Sequence, residues 1–154
     1  MGFAKLYDRK TALTAADLLN DRVIPFFEEH RVRINRRLTG RGTEFCGADD
    51  RHEYELYLAA ENIDHTRTKT KSPQINGICE RFHKTLLEEF YRVAFRRKLN
   101  TAIAELQTDL DAWLKTYNEE RTHQGRWCFG KTPMQTFLDA HHIAWEKQHI
   151  GEAA

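Results

Sequence analysis

The chain has 154 residues, of which 40% are hydrophobic and 31% are charged, and its formal net charge is +1. This length accommodates one domain with a modest core, and the lack of a long apolar run excludes a membrane-spanning helix. The near-neutral charge excludes a polybasic protein that binds nucleic acid through its overall charge. The three cysteines lie far apart without C-x-x-C spacing, which predicts reduced thiols, no zinc site and a cytoplasmic protein.

The first 30 residues predict a strand followed by a helix. Residues 2–8 alternate in polarity, which is typical of a short strand. Residues 10–30 carry an apolar stripe at helical spacing, and Thr11 or Thr14 can cap that helix. Pro25 should interrupt its regular hydrogen bonding late in the segment.

Two basic segments follow, and each predicts a strand. Residues 31–38 alternate in polarity and are rich in arginine, and Arg41 lies just beyond them. After a helix predicted over residues 49–62, residues 63–70 form a second strand with a basic row that Lys71 continues. Each row can contact DNA phosphates or can simply be a solvated strand face, and both interpretations stay open. The cations concerned are Arg31, Arg33, Arg36, Arg37, Arg41, His65, Arg67, Lys69 and Lys71.

A long helix is predicted over residues 76–97, with Asn76 as its cap. Its apolar stripe consists of Ile75, Cys79, Phe82, Leu86, Phe90 and Val93. Glu80 lies off this stripe in the first turn, where the helix dipole keeps a carboxylate ionised. It is either a Mg²⁺ ligand beside a phosphate-contacting Lys84 or an ordinary surface carboxylate paired with that lysine.

The rest of the chain is predicted to be helical. A second apolar stripe, from Leu99 to Tyr117, predicts a helix that packs on the first as a hairpin. Thr132 and Pro133 start a short helix that ends at residue 140. Trp127 and Phe129 are predicted to be core residues, with stacking on DNA as the alternative. Residues 141–154 should form a partly ordered tail, so that the domain spans residues 1–140.

Three stretches, in this order, resemble the DDE transposases of bacterial insertion sequences and the related retroviral integrase catalytic cores. They are LTGRGTEFCG (38–47), SPQINGICERFHKTL (72–86) and YNEERTHQGRWCFGKTPMQTF (117–137). The resemblance implies an α/β, ribonuclease H-like fold, with a mixed sheet flanked by helices and a C-terminal helical hairpin. It also implies metal-dependent phosphoryl transfer on DNA, with three carboxylates holding Mg²⁺ or Mn²⁺.

The resemblance assigns Glu80 to the family's catalytic, metal-binding glutamate, whereas Gly40 occupies the position of the second aspartate. The first aspartate would lie before Met1, so we expect an N-terminally truncated transposase fragment that lacks two strands of the fold and has no strand-transfer activity. Its implied DNA-binding residues are Lys84, His83, Arg41, Arg37, Arg67, Lys69 and Lys71.

Two alternatives remain open. Glu44 or Asp50 could replace the missing aspartate in a residual metal-dependent nuclease. The hairpin of residues 76–117 could instead serve as a non-enzymatic module that pairs with a full-length transposase or with a second copy of the chain. Unpaired strand edges would favour such self-association.

Overall fold

The computed structural model describes residues 1–47, 52–68, 77–97, 102–125 and 127–150. Its helices are α1 (Ala12–Leu18), α2 (Ile24–Glu29), α3 (Glu53–Ala60), α4 (Gly77–Thr85), α5 (Arg92–Arg97), α6 (Ile103–Glu119) and α7 (Pro133–Ile150), and its strands are β1 (Arg36–Thr39) and β2 (Asp64–Arg67). The two strands pair in parallel, with Arg36 opposite Asp64 and Thr39 opposite Arg67. The described residues therefore combine helices with a short parallel sheet.

The first helical segment keeps both features that its sequence predicts. Thr11 caps α1 in a reciprocal capping box, in which the Thr14 N–H donates to Thr11 Oγ1 at 3.2 Å and the Thr11 N–H donates to Thr14 Oγ1 at 3.0 Å. A π-helical turn (Leu19–Val23) then joins α1 to α2. Pro25 lies just beyond this turn and has no N–H, so regular α-helical bonding cannot continue through it.

One of the two hydrophobic cores forms where α1 and the π turn pack on α3. Its buried members are Ala12, Ala16, Leu19, Val23, Tyr54, Leu58 and Ile63. Because Ile63 belongs to this core and immediately precedes β2, the core fixes where β2 starts. The helix predicted over residues 49–62 is shorter in the structure, and residues 48–51 lie outside the described part.

The prediction of a strand over residues 2–8 is wrong. The Gly2 N–H donates to Asn118 Oδ1 at 2.8 Å, and Asn118 Nδ2 donates to the Gly2 carbonyl at 2.9 Å. The Leu6 N–H donates to Gln107 Oε1 at 2.7 Å. Amide side chains on α6 therefore bond the backbone groups that a neighbouring strand would otherwise bond, and the segment stays extended without joining a sheet.

The second core joins the long helix around residues 77–97 to α6, which confirms that the two pack together. Its buried members are Leu86, Phe90, Leu110 and Leu114. A π-helical turn (Leu86–Tyr91) separates α4 from α5. Because this turn changes the helical phase, Val93 is 42% exposed and leaves the predicted stripe. Cys79, which precedes the turn, is also exposed and does not belong to the stripe.

The last helix begins as predicted and extends further than predicted. The Gln135 N–H donates to Thr132 Oγ1 at 3.1 Å, which caps α7 at Pro133. The helix continues past residue 140, and near its end Gln148 bonds both the N–H and the carbonyl of Arg33, at 3.2 and 2.7 Å. Before Arg33, Arg31 has a positive φ, and the N–H groups of Arg31 and Val32 donate to helix carbonyls, so β1 starts at Arg36 instead of residue 31. The division of the chain at residue 140 stays a prediction.

Within the described part, no helix combines the length and the apolar character needed to cross a bilayer.

Candidate nucleic-acid and metal site

The carboxyl ends of β1 and β2 bring two of the predicted DNA-binding arginines to the same edge. Thr39 is in register with Arg67, and the polypeptide leaves the sheet after Thr39, at Gly40. The Arg41 Nε–H donates to the Thr68 carbonyl at 3.0 Å, which ties the ends of the two strands together. In parallel sheets, this edge is where ligands usually bind.

A polar network beside this edge involves Arg67 and a half-buried histidine. Arg67 bonds the carboxylate of Glu55. His65 Nε2 lies 2.7 Å from Thr39 Oγ1, and its Nδ1 lies 3.6 Å from Glu55 Oε1. Burial lowers the pKa of His65 despite the opposing effect of Glu55, so the ring is neutral at neutral pH. Arg67 is thus the cation of this network, and its charge is already paired with the carboxylate of Glu55.

Arg37 lies on the inner side of β1, beside the buried Tyr54. Burial raises the pKa of Tyr54, and the positive charge of Arg37 opposes that shift. Arg37 Nε is itself buried without a hydrogen-bond partner. The side chain is thus turned towards the protein interior, which does not favour the predicted contact with DNA.

Gly40 leaves an open space where the resemblance expects an aspartate. A Cβ atom added to Gly40 would meet no atom within 4 Å, so the site has room for a side chain but provides no ligand. The nearby Glu44 does not fill the role, because it is only 12% exposed and forms an ion pair with Lys10 at 2.9 Å. Asp49 and Asp50 lie outside the described residues.

Glu80, His83 and Lys84 lie on the exposed face of α4. Glu80 is in the first turn of the helix, as the sequence predicts. His83 Nε2 lies 3.9 Å from the sulfur of Cys79, one turn earlier. Lys69 and Lys71, which are predicted to contact DNA, lie outside the described residues.

The described residues do not form a two-metal site. Two divalent cations held close together require several carboxylates to offset their repulsion. Within the described ranges, no group of three or more His, Cys, Asp or Glu side chains could hold a metal ion. Glu80 can contribute one oxygen ligand, and Gly40 contributes none, so the residues do not fit the Mg²⁺ or Mn²⁺ pair that the resemblance implies.

An exposed aromatic turn lies between α6 and α7, where the sequence predicts core residues. Trp127 is 69% exposed and Phe129 is 77% exposed, so that prediction is wrong. His123 and Lys131 pair as an isolated antiparallel bridge, and Phe129 and Gly130 both have positive φ. This tight reversal directs the aromatic rings outward, and the glycines that flank it are the sequence signal for such a turn.

The sequence is similar to known integrases and insertion elements. A family model described as "Integrase core domain" matches residues 61–127. A putative integrase of Spiroplasma virus SpV1-C74 is 29% identical over 127 residues, covering 77% of this chain and 34% of the viral protein. An uncharacterized protein of insertion element IS136 from Agrobacterium tumefaciens (strain T37) is 31% identical over 86 residues, covering 56% of this chain and 40% of that protein. The chain spans between 34% and 40% of the length of these relatives.

Two solved structures share the fold. The catalytic core domain of BIV integrase matches 92% of this chain and 80% of its own, with a TM-score of 0.62 and 21% identity. A chain of the simian T-cell lymphotropic virus intasome, solved in complex with PP2A regulatory subunit B56 gamma, matches 88% of this chain and 42% of its own, with a TM-score of 0.63 and 20% identity. The fold is that of integrase catalytic cores, which confirms the predicted ribonuclease H-like class.

Proposed function

We propose that this chain, whose residues 61–127 match the integrase core domain model, binds DNA through phosphate contacts and does not by itself catalyse strand transfer. The observation that carries the proposal is the glycine at position 40, where the family resemblance expects a metal-binding aspartate.

The absence of catalysis follows from the charge that two divalent metal ions require. Glu80 is exposed on α4 and can approach a cation, but a lone carboxylate cannot offset the repulsion between two of them. Glu44 is engaged with Lys10 and nearly buried, so its recruitment as a substitute would break an ion pair that is partly shielded from water. A residual nuclease that recruits Glu44 is therefore disfavoured, whereas Asp50 lies outside the described residues.

DNA binding is supported by the exposed cations that remain available to phosphates. Lys84 is exposed on α4 beside Glu80. On β1, the Arg36 side chain is 70% exposed but lies in a 3.7 Å ion pair with Asp64, so its charge is partly engaged. Arg41 is exposed at the end of the same strand, where its Nε–H bonds a carbonyl and its remaining N–H groups are available to a phosphate. Such contacts bind the backbone without reading sequence.

Salt-dependent binding of a DNA duplex tests the first half of the proposal. Fluorescence anisotropy across a range of salt concentrations should give an affinity that falls linearly on a double-logarithmic plot. Replacing Lys84 with alanine should reduce that slope by about 1, because one phosphate contact is lost. Lys115→Ala removes the same charge from an exposed position on α6 and should leave the slope unchanged. Equal effects of the two variants would show that only net charge matters.

A nicking assay with Mg²⁺ and Mn²⁺ tests the second half. The purified chain should leave supercoiled DNA intact. Glu105→Gln removes a carboxylate from an exposed position in the first turn of α6 and is the matched control. Metal-dependent cutting that Glu80→Gln abolishes and Glu105→Gln preserves would overturn the proposal of inactivity.

A second candidate function is pairing with another integrase-like chain through the helical hairpin. The observation that favours it is the exposure of large apolar side chains there, with Ile78 82% exposed, Leu87 51% exposed and Ile103 51% exposed. Exposed apolar groups on neighbouring helices are typical of protein–protein contact surfaces.

A further inference from the structure

His123 closes the aromatic turn between α6 and α7 through its backbone. Its N–H donates to the Lys131 carbonyl at 3.0 Å, and its own carbonyl accepts the Gly130 N–H at 2.9 Å. These two bonds join the arms of the turn that presents Trp127 and Phe129, which are 69% and 77% exposed. A displacement of His123 therefore opens the turn.

The imidazole ring of His123 is packed with one nitrogen unsatisfied. Its centroid lies 4.8 Å from that of Tyr117 on α6, edge to face, and Tyr117 stacks in turn on Trp113 at 5.1 Å. His123 Nε2 is buried and has no hydrogen-bond partner among the described residues. A neutral ring leaves only a lone pair there, whereas a protonated ring would place a charged N–H there without an acceptor, at a much higher cost.

The charges around the ring also oppose its protonation. Burial, and next the positive charges of Arg121 and the Met1 amino group, lower the pKa of His123. A hydrogen bond to the Tyr117 backbone raises that pKa, as does Glu89, which is itself paired with Arg121. Burial raises the pKa of the Tyr117 phenol and lowers the pKa of the Met1 amino group, so the phenol stays neutral and the amino group gains charge as the pH falls.

The closed turn is held under backbone strain, which makes it ready to open. Phe129 has a φ of 49°, in the left-handed region that a bulky side chain rarely adopts. Such a conformation persists only where the surrounding contacts enforce it. Here the bonds from His123 to Gly130 and Lys131 fix the backbone directly after Phe129, so opening the turn relieves this strain.

We propose that His123 is a pH-sensitive switch, whose neutral ring keeps the aromatic turn closed against α6 and whose protonation lets the turn open. The direction follows from proton linkage, because the closed turn binds the proton more weakly than an open turn does. Closure is fully stable above the ordinary histidine pKa of about 6.5 and is lost as the pH falls through the lowered pKa of the closed state. Opening frees Trp127 and Phe129 from the fixed arrangement that the closed turn gives them.

Amide hydrogen exchange of the whole chain, measured by NMR, tests the switch. The Gly130 N–H is followed at pH 7.5 and 5.5 as a protection factor, which corrects for the ordinary pH dependence of exchange. Protection should fall several-fold at pH 5.5, with a limit of about tenfold set by how far a histidine with an ordinary pKa of about 6.5 is protonated there. His123→Phe keeps an aromatic ring beside Tyr117 without a titrating group and should abolish this fall. His65→Gln removes another histidine with a lowered pKa and should preserve it.

A Gly130 amide that is equally protected at both pH values, or a fall that persists in His123→Phe, would overturn the proposal. The ring itself gives a second readout that needs no variant. The C2–H signal of His123 should titrate with a pKa below the usual value of about 6.5, and a pKa at or above that value would also overturn the switch. Neither measurement depends on whether the chain binds or cuts DNA.

Discussion

The predicted DNA-binding cations differ in how much of their charge is available to a phosphate. Arg67 is paired with Glu55, and Arg37 is turned towards the buried Tyr54. Arg41 uses its Nε–H on a backbone carbonyl but is otherwise exposed. Lys84 is exposed on α4. Removing Lys84 or Arg41 should therefore weaken DNA binding more than removing Arg67 or Arg37.

His65 should make the stability of the sheet edge depend on pH. Burial lowers its pKa below the usual value of about 6.5, although Glu55 opposes the shift. Since the folded state then binds fewer protons than the unfolded state, stability is fully present above about pH 6.5 and is lost as the pH falls through the lowered pKa. Urea unfolding at pH 7.5 and 5.5 should show this loss, and His65→Gln should reduce it.

Several charged groups face His65, so the comparison needs a control. Glu55 raises its pKa, while Arg67 and Arg37 lower it. His142→Gln replaces an exposed histidine on α7 and should leave the pH dependence of the wild type unchanged. A wild-type protein whose unfolding free energy does not fall between pH 7.5 and 5.5 would contradict the prediction.

Adding a methyl group should destabilise the chain at Gly2 but have little effect at Gly40. A Cβ atom at Gly2 would lie 2.6 Å from the ring of Phe82, which contacts Trp113 and Tyr117, whereas a Cβ atom at Gly40 meets nothing within 4 Å. Gly2→Ala should destabilise the chain by about 1–3 kcal/mol, the usual cost of overpacking. Gly40→Ala should change stability by no more than about 0.5 kcal/mol. Chemical denaturation of both variants measures the difference, and equal effects would contradict it.

At the scale of elements, amide side chains replace strand neighbours at two places. Asn118 bonds both backbone groups of Gly2, and Gln148 bonds both backbone groups of Arg33. Each amide uses one N–H as donor and its oxygen as acceptor here, which is the same pair that a residue of an adjacent strand provides. The extended segments are therefore attached to α6 and α7 without belonging to the sheet.

Asn118→Ala should be much more destabilising than Gln148→Ala. The bonds to Gly2 are buried, so their loss leaves a buried N–H and a buried carbonyl unpaired, at a cost of about 1–3 kcal/mol or more. The bonds from Gln148 to Arg33 are exposed, and water replaces them, so a loss below about 1 kcal/mol is expected. Urea denaturation of the two alanine variants makes the comparison. A larger loss for Gln148→Ala would refute this account of the attachment.

Helices were predictable from the sequence because their signals are local. The N-cap at Thr11, the start of α7 at Pro133 and the burial of Leu86 and Phe90 all follow from spacing within a few residues. The strand over residues 2–8 was not predictable correctly, because alternation in polarity does not reveal whether backbone groups meet another strand or distant amide side chains.

The candidate site was predictable only in part. Motif order gave the resemblance to integrase cores, which the match of residues 61–127 supports, and the structure has Glu80 on an exposed helix turn as expected. Which cations remain unpaired was not predictable, because the pairing of Arg67 with Glu55 depends on tertiary contacts. The 3.9 Å approach of Cys79 to His83 follows from helical spacing but depends on both rotamers, which the sequence does not specify.

At the scale of the whole molecule, large apolar side chains remain exposed on both helices of the hairpin and on the aromatic turn. Ile78 on α4 is 82% exposed, Ile103 on α6 is 51% exposed and Phe129 is 77% exposed. Single exposed apolar residues are common, so their meaning depends on whether they lie in a contact between chains. The solution mass of the chain decides this directly.

We expect the chain to self-associate through the hairpin, with Ile78 inside the contact. Light scattering after size-exclusion chromatography should give a mass above that of one chain, which rises with concentration. Ile78→Asp should shift the population to the monomer, because an interface would bury the new carboxylate without a partner. Leu13→Asp makes the same kind of change at a 66% exposed position on α1 and should leave the mass unchanged. A wild-type chain that stays monomeric at all concentrations would exclude this contact and leave DNA binding as the remaining role for the exposed face of α4.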